Sequence, residues 1–249
     1  MDDLTPDRLV AALGQRRFEY HDGCDSTMER ARDWCRREPN LPAGSVVIAD
    51  FQTEGRSRHG KPPWLAPRGT SILMTFIYPQ LASPYRCWPA AALAVCDAVS
   101  ALALLPTIKW PNDVMLEGKK LAGCLVEWIP GPGAALVGMG VNVSCRFPGT
   151  DFAERATSLT EHTVIPLDRV GLIASMADAI DRRLTGETLM RDWAQRLETL
   201  GQMVSVETTQ GRMVGRAEQV TADGQLVVRL DDGSRRTLSE GYVSHLRPM

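Results

Sequence analysis

The stretch from Leu105 to Gly123 constrains the fold more than any other part of this chain. Apolar residues ending Leu105-Pro106-Thr107-Ile108 run straight into Lys109-Trp110-Pro111-Asn112-Asp113, and Lys119-Lys120-Leu121-Ala122-Gly123 follows. This order reads as a buried strand that delivers a lysine to its end, a Pro-Asn-Asp turn, and a second strand pair joined at Glu117-Gly118. Lysines, an indole and a carboxylate gathered at one end of a sheet suit a site for an anion and a nucleotide, because an ammonium is a point-charge partner for phosphate and carboxylate. The same residues also read as a surface turn with solvated lysines, so a second segment is needed to decide.

Residues 50–67 provide that segment. Between strand-like runs at Ser45–Ala49 and Thr70–Ile77 lies a loop bounded by Gly55 and Gly60 that carries Arg56, Arg58, His59 and Lys61. Three fixed cations within six residues repel one another in an empty loop, and an anionic ligand would neutralise them. The glycines let the backbone approach such a ligand and add amide donors. A nonspecific basic patch is the plainer alternative.

The remaining chain reads as α+β. Leu4–Leu13 has the pattern of a short amphipathic helix, and Ser26-Thr27-Met28-Glu29 is a capping box opening a helix to about Arg37. That helix start can be capped by Ser26 or Thr27 and can also meet a polar ligand. A long helix is expected from Pro84 or Pro89 to Leu104, strands at Thr107–Trp110, Val114–Leu116, Leu121–Glu127 and Ala134–Val143, and helices at Leu167–Leu184 and Thr188–Leu200. After Gly201 the pattern changes to short alternating runs, Met203–Val206, Arg212–Val220 and Gln225–Leu230, with Asp223-Gly224 and Asp232-Gly233 as turns. The expected division is a catalytic domain over 1–200 and a small SH3-like barrel over 201–249.

Composition narrows the function. A net charge of −2 gives no global argument for nucleic-acid binding. The longest apolar stretch, Pro89 to Pro106, contains Asp97 and is short for a membrane span. The acidic start, Met1-Asp2-Asp3-Leu4, does not read as a signal peptide. Six cysteines without a Cys-x-x-Cys pair read as free thiols of a cytoplasmic protein, with no metal-ligand spacing.

Taken in order, these motifs resemble the biotin protein ligases. Asp25-Ser26-Thr27 is similar to the family's Ser-Thr-Asn segment, and Gln52 to Gly60 to its Gly-Arg-Gly-Arg-Arg/His-Gly loop. Lys109 to Asp113 resembles its Lys-Trp-Pro-Asn-Asp signature, Lys120 to Gly123 its Lys-Leu-Ala-Gly, and Gly138-Met139-Gly140-Val141-Asn142 its Gly-rich strand. The tail from Trp193 to Arg247 resembles its small C-terminal domain, so the likeness spans nearly the whole chain. Four departures stand out: Ser57 for a glycine, Met28 for Asn or Gln, an added residue at Pro62-Pro63 before Trp64, and Cys124 for an aliphatic residue.

The resemblance implies a mixed sheet with flanking helices, related to class II aminoacyl-tRNA synthetases and lipoate ligases, with the barrel appended. It implies formation of biotinyl-5′-AMP from biotin and ATP with Mg²⁺, then transfer to a lysine of a biotin carboxyl carrier protein domain. Lys120, Arg56 and Arg58 would supply charge, and Asp113 would orient the acceptor lysine or a cation, unless it serves only the turn. Ser26, Thr27, Gln52, Gly55, Arg56, Arg58, Lys120 and Gly123 would hold biotin. Arg58, His59, Trp64, Lys109, Asn112, Lys120 and Asn142 would face the nucleotide. A stand-alone ligase is expected, a monomer or weak homodimer acting without nucleic acid or membrane. A lipoate ligase or an octanoyl transferase using Cys124 as nucleophile stays open, as does a biotinyl-AMP-binding regulator, which the short segment before Asp25 disfavours.

Overall fold

Two sheets organise the chain, which the computed structural model describes over residues 4–58, 63–81, 83–131, 133–208, 211–239 and 241–245. The larger holds β1 (Phe18–His21), β2 (Ser45–Ala49), β3 (Ser71–Pro79), β4 (Thr107–Lys109), β5 (Asp113–Leu116), β6 (Lys119–Ile129) and β7 (Ala134–Asn142). Their spatial order is β1-β2-β3-β7-β6-β5-β4. β1 and β2 run parallel, and the remaining neighbours pair antiparallel. The smaller sheet holds β8 (Met203–Thr208), β9 (Gly211–Val220), β10 (Leu226–Arg229), β11 (Arg235–Leu238) and β12 (Tyr242–His245). It is antiparallel throughout, in the order β11-β10-β9-β8-β12.

Side-chain alternation divides the large sheet into two faces. On β3, Ile72, Met74, Phe76 and Tyr78 enter the main core, whereas Ile77 belongs to a second cluster. The main core is built on α3 (Cys87–Ser100), a helix of alanines and other small apolar residues buried almost all round. Small side chains let α3 lie close to the sheet on one side and to α4 (Arg169–Thr185) on the other. α1 (Pro6–Leu13) and α5 (Leu189–Arg196) complete that layer, and residues of the smaller sheet, among them Val204, Ala217 and Val228, join the same core. The opposite face carries α2 (Thr27–Arg37), which buries Met28, Ala31, Trp34 and Cys35.

Three local expectations are corrected. The helix expected over Thr188–Leu200 ends at Arg196, and Leu197 turns extended to bridge Ile108. The capping box at Ser26 gives way to a simple N-cap: the Ser26 hydroxyl accepts from the Met28 N–H at 3.2 Å, and Glu29 is drawn to Arg32 and Arg56. The long helix begins as a 3₁₀ turn at Pro84–Arg86 and ends at Ser100, short of Leu104. Strands β1, β11 and β12 are additions. β1 is a four-residue edge strand of half-buried residues, which leaves little alternation to read.

Candidate active site

The α2 side of the sheet has a floor of backbone. Gly138 pairs with Thr75 and Leu125, and Gly140 pairs with Leu73 and Gly123. Glycine inside a strand leaves room for another group to lie on the sheet, and three of them are clustered here. At one end, the Thr75 hydroxyl donates to Thr27 Oγ1 at 2.9 Å, while the Thr27 hydroxyl and N–H both donate to Gln52 Oε1 at 3.0 and 2.7 Å. All three residues are buried. Met28 packs on Gly138, where an added Cβ would stand 2.8 Å from its sulfur.

At the other end lies Lys120, placed by a bulge. β6 gives two steps to one on β5 between Ala122 and Lys120, so Leu121 is the extra residue. A bulge re-aims the side chains beyond it. Without it Lys120 would share the core-facing parity of Ala122; with it, Lys120 lies on the same face as Gly123. Its Nζ sits 2.7 Å from Asp113 Oδ1. The Lys120 backbone is fixed by Arg155 and Thr157, and Asn142 donates from Nδ2 to the Thr157 carbonyl at 3.0 Å.

Trp64 covers the floor. An added Cβ on Gly140 would meet its ring carbons at 2.7–3.0 Å, so the indole lies directly on the strand. Lys120 Nζ is 5.7 Å from the ring centroid, a cation–π distance. The indole N–H is buried without a partner. The Trp64 amide donates to the Gly55 carbonyl at 2.9 Å, joining the two residues backbone to backbone. Gly55 is obligatory there, because a Cβ would stand 2.0 Å from the Trp64 carbonyl oxygen.

The loop cations are partnered. Arg56 reaches Glu29 and, at 2.8 Å, Glu127. Arg58 donates to the Gly241 carbonyl at 3.0 Å, tying the loop to the smaller sheet. The expectation of unneutralised, mutually repelling charges is therefore corrected at Arg56, whose balancing carboxylates come from α2 and β6. His59 and Lys61 lie outside the described residues.

Ser26 caps α2 beside the Thr27–Gln52 pair. Asn112 is buried; its Nδ2 donates to the Cys124 carbonyl, and its Oδ1 has no partner. Lys109 stands opposite Asp113 on the edge strand. Burial, with the Lys109 charge adding to it and Glu198 opposing, holds His245 below the ordinary histidine pKa. Trp110 packs: it is 2% exposed and donates from Nε1 to the Gly224 carbonyl at 2.9 Å. Thr75, Glu29 and Glu127 were missed as site residues. The glycine alternation in Gly138-Met139-Gly140 was the signal that marked β7 as a floor.

Cys124 faces the main core, 2% exposed, on the side of β6 opposite Gly123. Burial pushes its thiol far above the usual range. A thiolate nucleophile needs access and a lowered pKa, so the transferase chemistry has no nucleophile at this position. Cys124→Ala is expected to leave activity at the parent level and cost about 1 kcal/mol of stability, checked by parallel activity and thermal-melt assays.

Comparison with known proteins agrees with this geometry. The profile of the Biotin/lipoate A/B protein ligase family matches residues 23–144, and that of the biotin protein ligase C-terminal domain matches residues 199–246. A biotin–[acetyl-CoA-carboxylase] ligase of Mycobacterium tuberculosis is 35% identical over 82% of this chain and 80% of its own length. The bifunctional ligase/repressor BirA of Bacillus subtilis is 28% identical over 88% of this chain and 71% of its own. A biotin protein ligase from Aquifex aeolicus, solved with biotin and ATP, superposes with a TM-score of 0.79 at 25% identity, covering 93% of this chain and 99% of that one. The glycine floor, the Lys120 bulge and these likenesses converge: the chain belongs to the biotin protein ligase family.

Proposed function

We propose that this site joins biotin to ATP as biotinyl-5′-AMP and then passes the biotinyl group to a lysine of a biotin carboxyl carrier domain. The observation that carries the reading is the spacing of two unlike ends across a glycine floor that Met28 and Trp64 cover. Thr75 and Gly123 lie two strands and two residues apart, roughly 12 Å from strand spacing and rise. That distance suits a ureido head held at Thr27, Gln52 and Thr75 and an acyl tail ending at Lys120. Leu73, Leu125 and Met28 give the apolar walls that a thiophane ring needs.

In the first step a biotin carboxylate oxygen attacks the α-phosphorus, and the bond to the pyrophosphate oxygen breaks. Two anions must meet, so charge and alignment dominate. Lys120 carries that charge, with Arg58 closing from the loop. In the second step the acceptor amine attacks the acyl carbon, AMP leaves, and the nitrogen gives up a proton. Asp113, beside Lys120, is the carboxylate placed to orient that amine. Trp64 offers a face to adenine, and the orphan Asn112 Oδ1 offers an acceptor to its amino group. Lys109 completes the nucleotide side, and Asn142 fixes the segment behind Lys120. Ser26 and Gly55 shape the ureido end.

Among the described residues no three His, Cys, Asp or Glu side chains are grouped to hold a metal ion. Mg²⁺ fits as the counter-ion of the ATP phosphates, with Asp113 at the same end, and when bound it neutralises phosphate charge. No described helix is long and apolar enough to cross a membrane. All six cysteines are free, as in a reducing cytoplasm.

The test is ligand-dependent ATP–pyrophosphate exchange with biotin, lipoate and octanoate in parallel. Exchange with biotin alone is expected; exchange with either other acid, or with none, would overturn the reading. Gly140→Ala lifts Trp64 off the floor and is expected to slow that exchange about tenfold, as small misplacements do.

A further inference from the structure

Arg56 is held more elaborately than a cation waiting for a ligand. Its guanidinium touches Glu29 of α2 and, at 2.8 Å, Glu127 of β6. Both carboxylates are shared with a second arginine of α2, for Arg32 reaches Glu127 at 2.6 Å and Glu29 at 3.3 Å. The four side chains form a closed ring of alternating charge, two plus and two minus, and all lie between 20% and 37% exposed. A lone exposed pair is worth little, but a network that shares each partner holds better.

The ring stands where the loop needs a fastening. Gly55 and Trp64, the two ends of the loop, are joined backbone to backbone. Arg56 follows Gly55 directly and ties this end of the loop to α2 and β6. Arg58, two residues on, ties it to Gly241. For Arg56 to serve a phosphate or carboxylate it would have to abandon two carboxylates at once.

We propose that the Arg56 side chain is the fastener of the loop, and that Glu29, Arg32 and Glu127 are positioning residues acting through it. Its guanidinium then remains on the ring when the site is occupied. This deepens the biotin-ligase reading and rests on it for its kinetic consequences.

The two roles differ in the sign of one experiment. Arg56→Met removes the cation, and the double substitution Glu29→Gln with Glu127→Gln removes its holders. If Arg56 fastens the loop, both variants lose the same thing. The KM for biotin in pyrophosphate exchange then rises about tenfold in each with kcat nearly unchanged, and the triple variant is no worse than either. In the protein without ligand, amide exchange at Trp64 accelerates in both. If Arg56 instead neutralises the reacting anions, Arg56→Met loses on the order of 10²-fold in kcat, whereas freeing it from Glu29 and Glu127 leaves biotin binding equal or tighter; that pattern overturns the proposal. Absence of biotin-dependent exchange in the parent protein would remove the functional reading alone. The amide exchange of Trp64 would still decide whether the ring fastens the loop, with unchanged exchange in both variants counting against it.

Discussion

Lys120→Met is expected to slow acyl-adenylate formation by on the order of 10²–10³-fold, the usual cost of removing a group that stabilises developing charge. Lys120 is poised by three separate features: the Leu121 bulge, the 2.7 Å contact with Asp113, and the Trp64 ring 5.7 Å from its ammonium. Methionine keeps the length of the side chain and removes the ammonium, which leaves Asp113 facing two incoming anions. The loss should fall chiefly on kcat, since the charge matters most when carboxylate and α-phosphate come together. Lys120→Arg should recover little. A planar guanidinium is bulkier than an ammonium, and a Cβ on Gly123 would already meet Lys120 and Trp64 at 3.1–3.3 Å. Single-turnover pyrophosphate release measures the step. A loss below about fivefold would be too small for a transition-state charge and would remove Lys120 from it.

Asp50→Ala is expected to destabilise the protein by about 3–5 kcal/mol, the range for stranding a buried charge. Arg169, at the start of α4, is 3% exposed in its side chain and meets Asp50 at 2.7 Å and the Ser71 carbonyl at 3.0 Å. Burial pulls the Arg169 pKa down to about 10 and raises that of Asp50. Desolvation thus weighs on both partners, and removing Asp50 takes from Arg169 a carboxylate that offsets it. The melting temperature should fall by about 10 °C for a chain of this size. Arg169→Met combined with Asp50→Asn should regain most of that loss, because replacing a buried pair whole is far cheaper than breaking it. Differential scanning calorimetry of the single and double variants separates the cases.

The reading of the sequence was reliable where local chemistry decides the outcome. Glu117-Gly118 forms the expected turn, with both residues at positive φ, and Ser45–Ala49 is a strand buried throughout. The ordered motifs also brought Gln52, Thr27, Lys120 and Asp113 to one face of the sheet. What escaped notice depends on register and on distant charges. No local signal distinguishes Lys120 from Lys119; the bulge that chooses between them arises from pairing with β5. Arg56 looked like a cation awaiting an anion because Glu29 and Glu127 are 27 and 71 positions away in the chain, and their approach follows from α2 packing on β2, β3 and β7, beside β6. Thr75 sat unnoticed in an apolar run, since its partner Thr27 reaches it only through the packing of α2.

The floor of Gly123, Gly138 and Gly140 has a consequence for how this enzyme can diversify. A floor of peptide planes has no side chain of the sheet to exchange for another, and enlarging any of the three strikes Met28, Lys120 or Trp64 above it. On the proposed placement of biotin, selectivity is therefore rewritten from above, by Met28, by Trp64 and by Leu125 at the margin, while the strands beneath stay as they are. A collection of variants confined to those covering positions would explore acids of other shapes without touching the machinery that activates them.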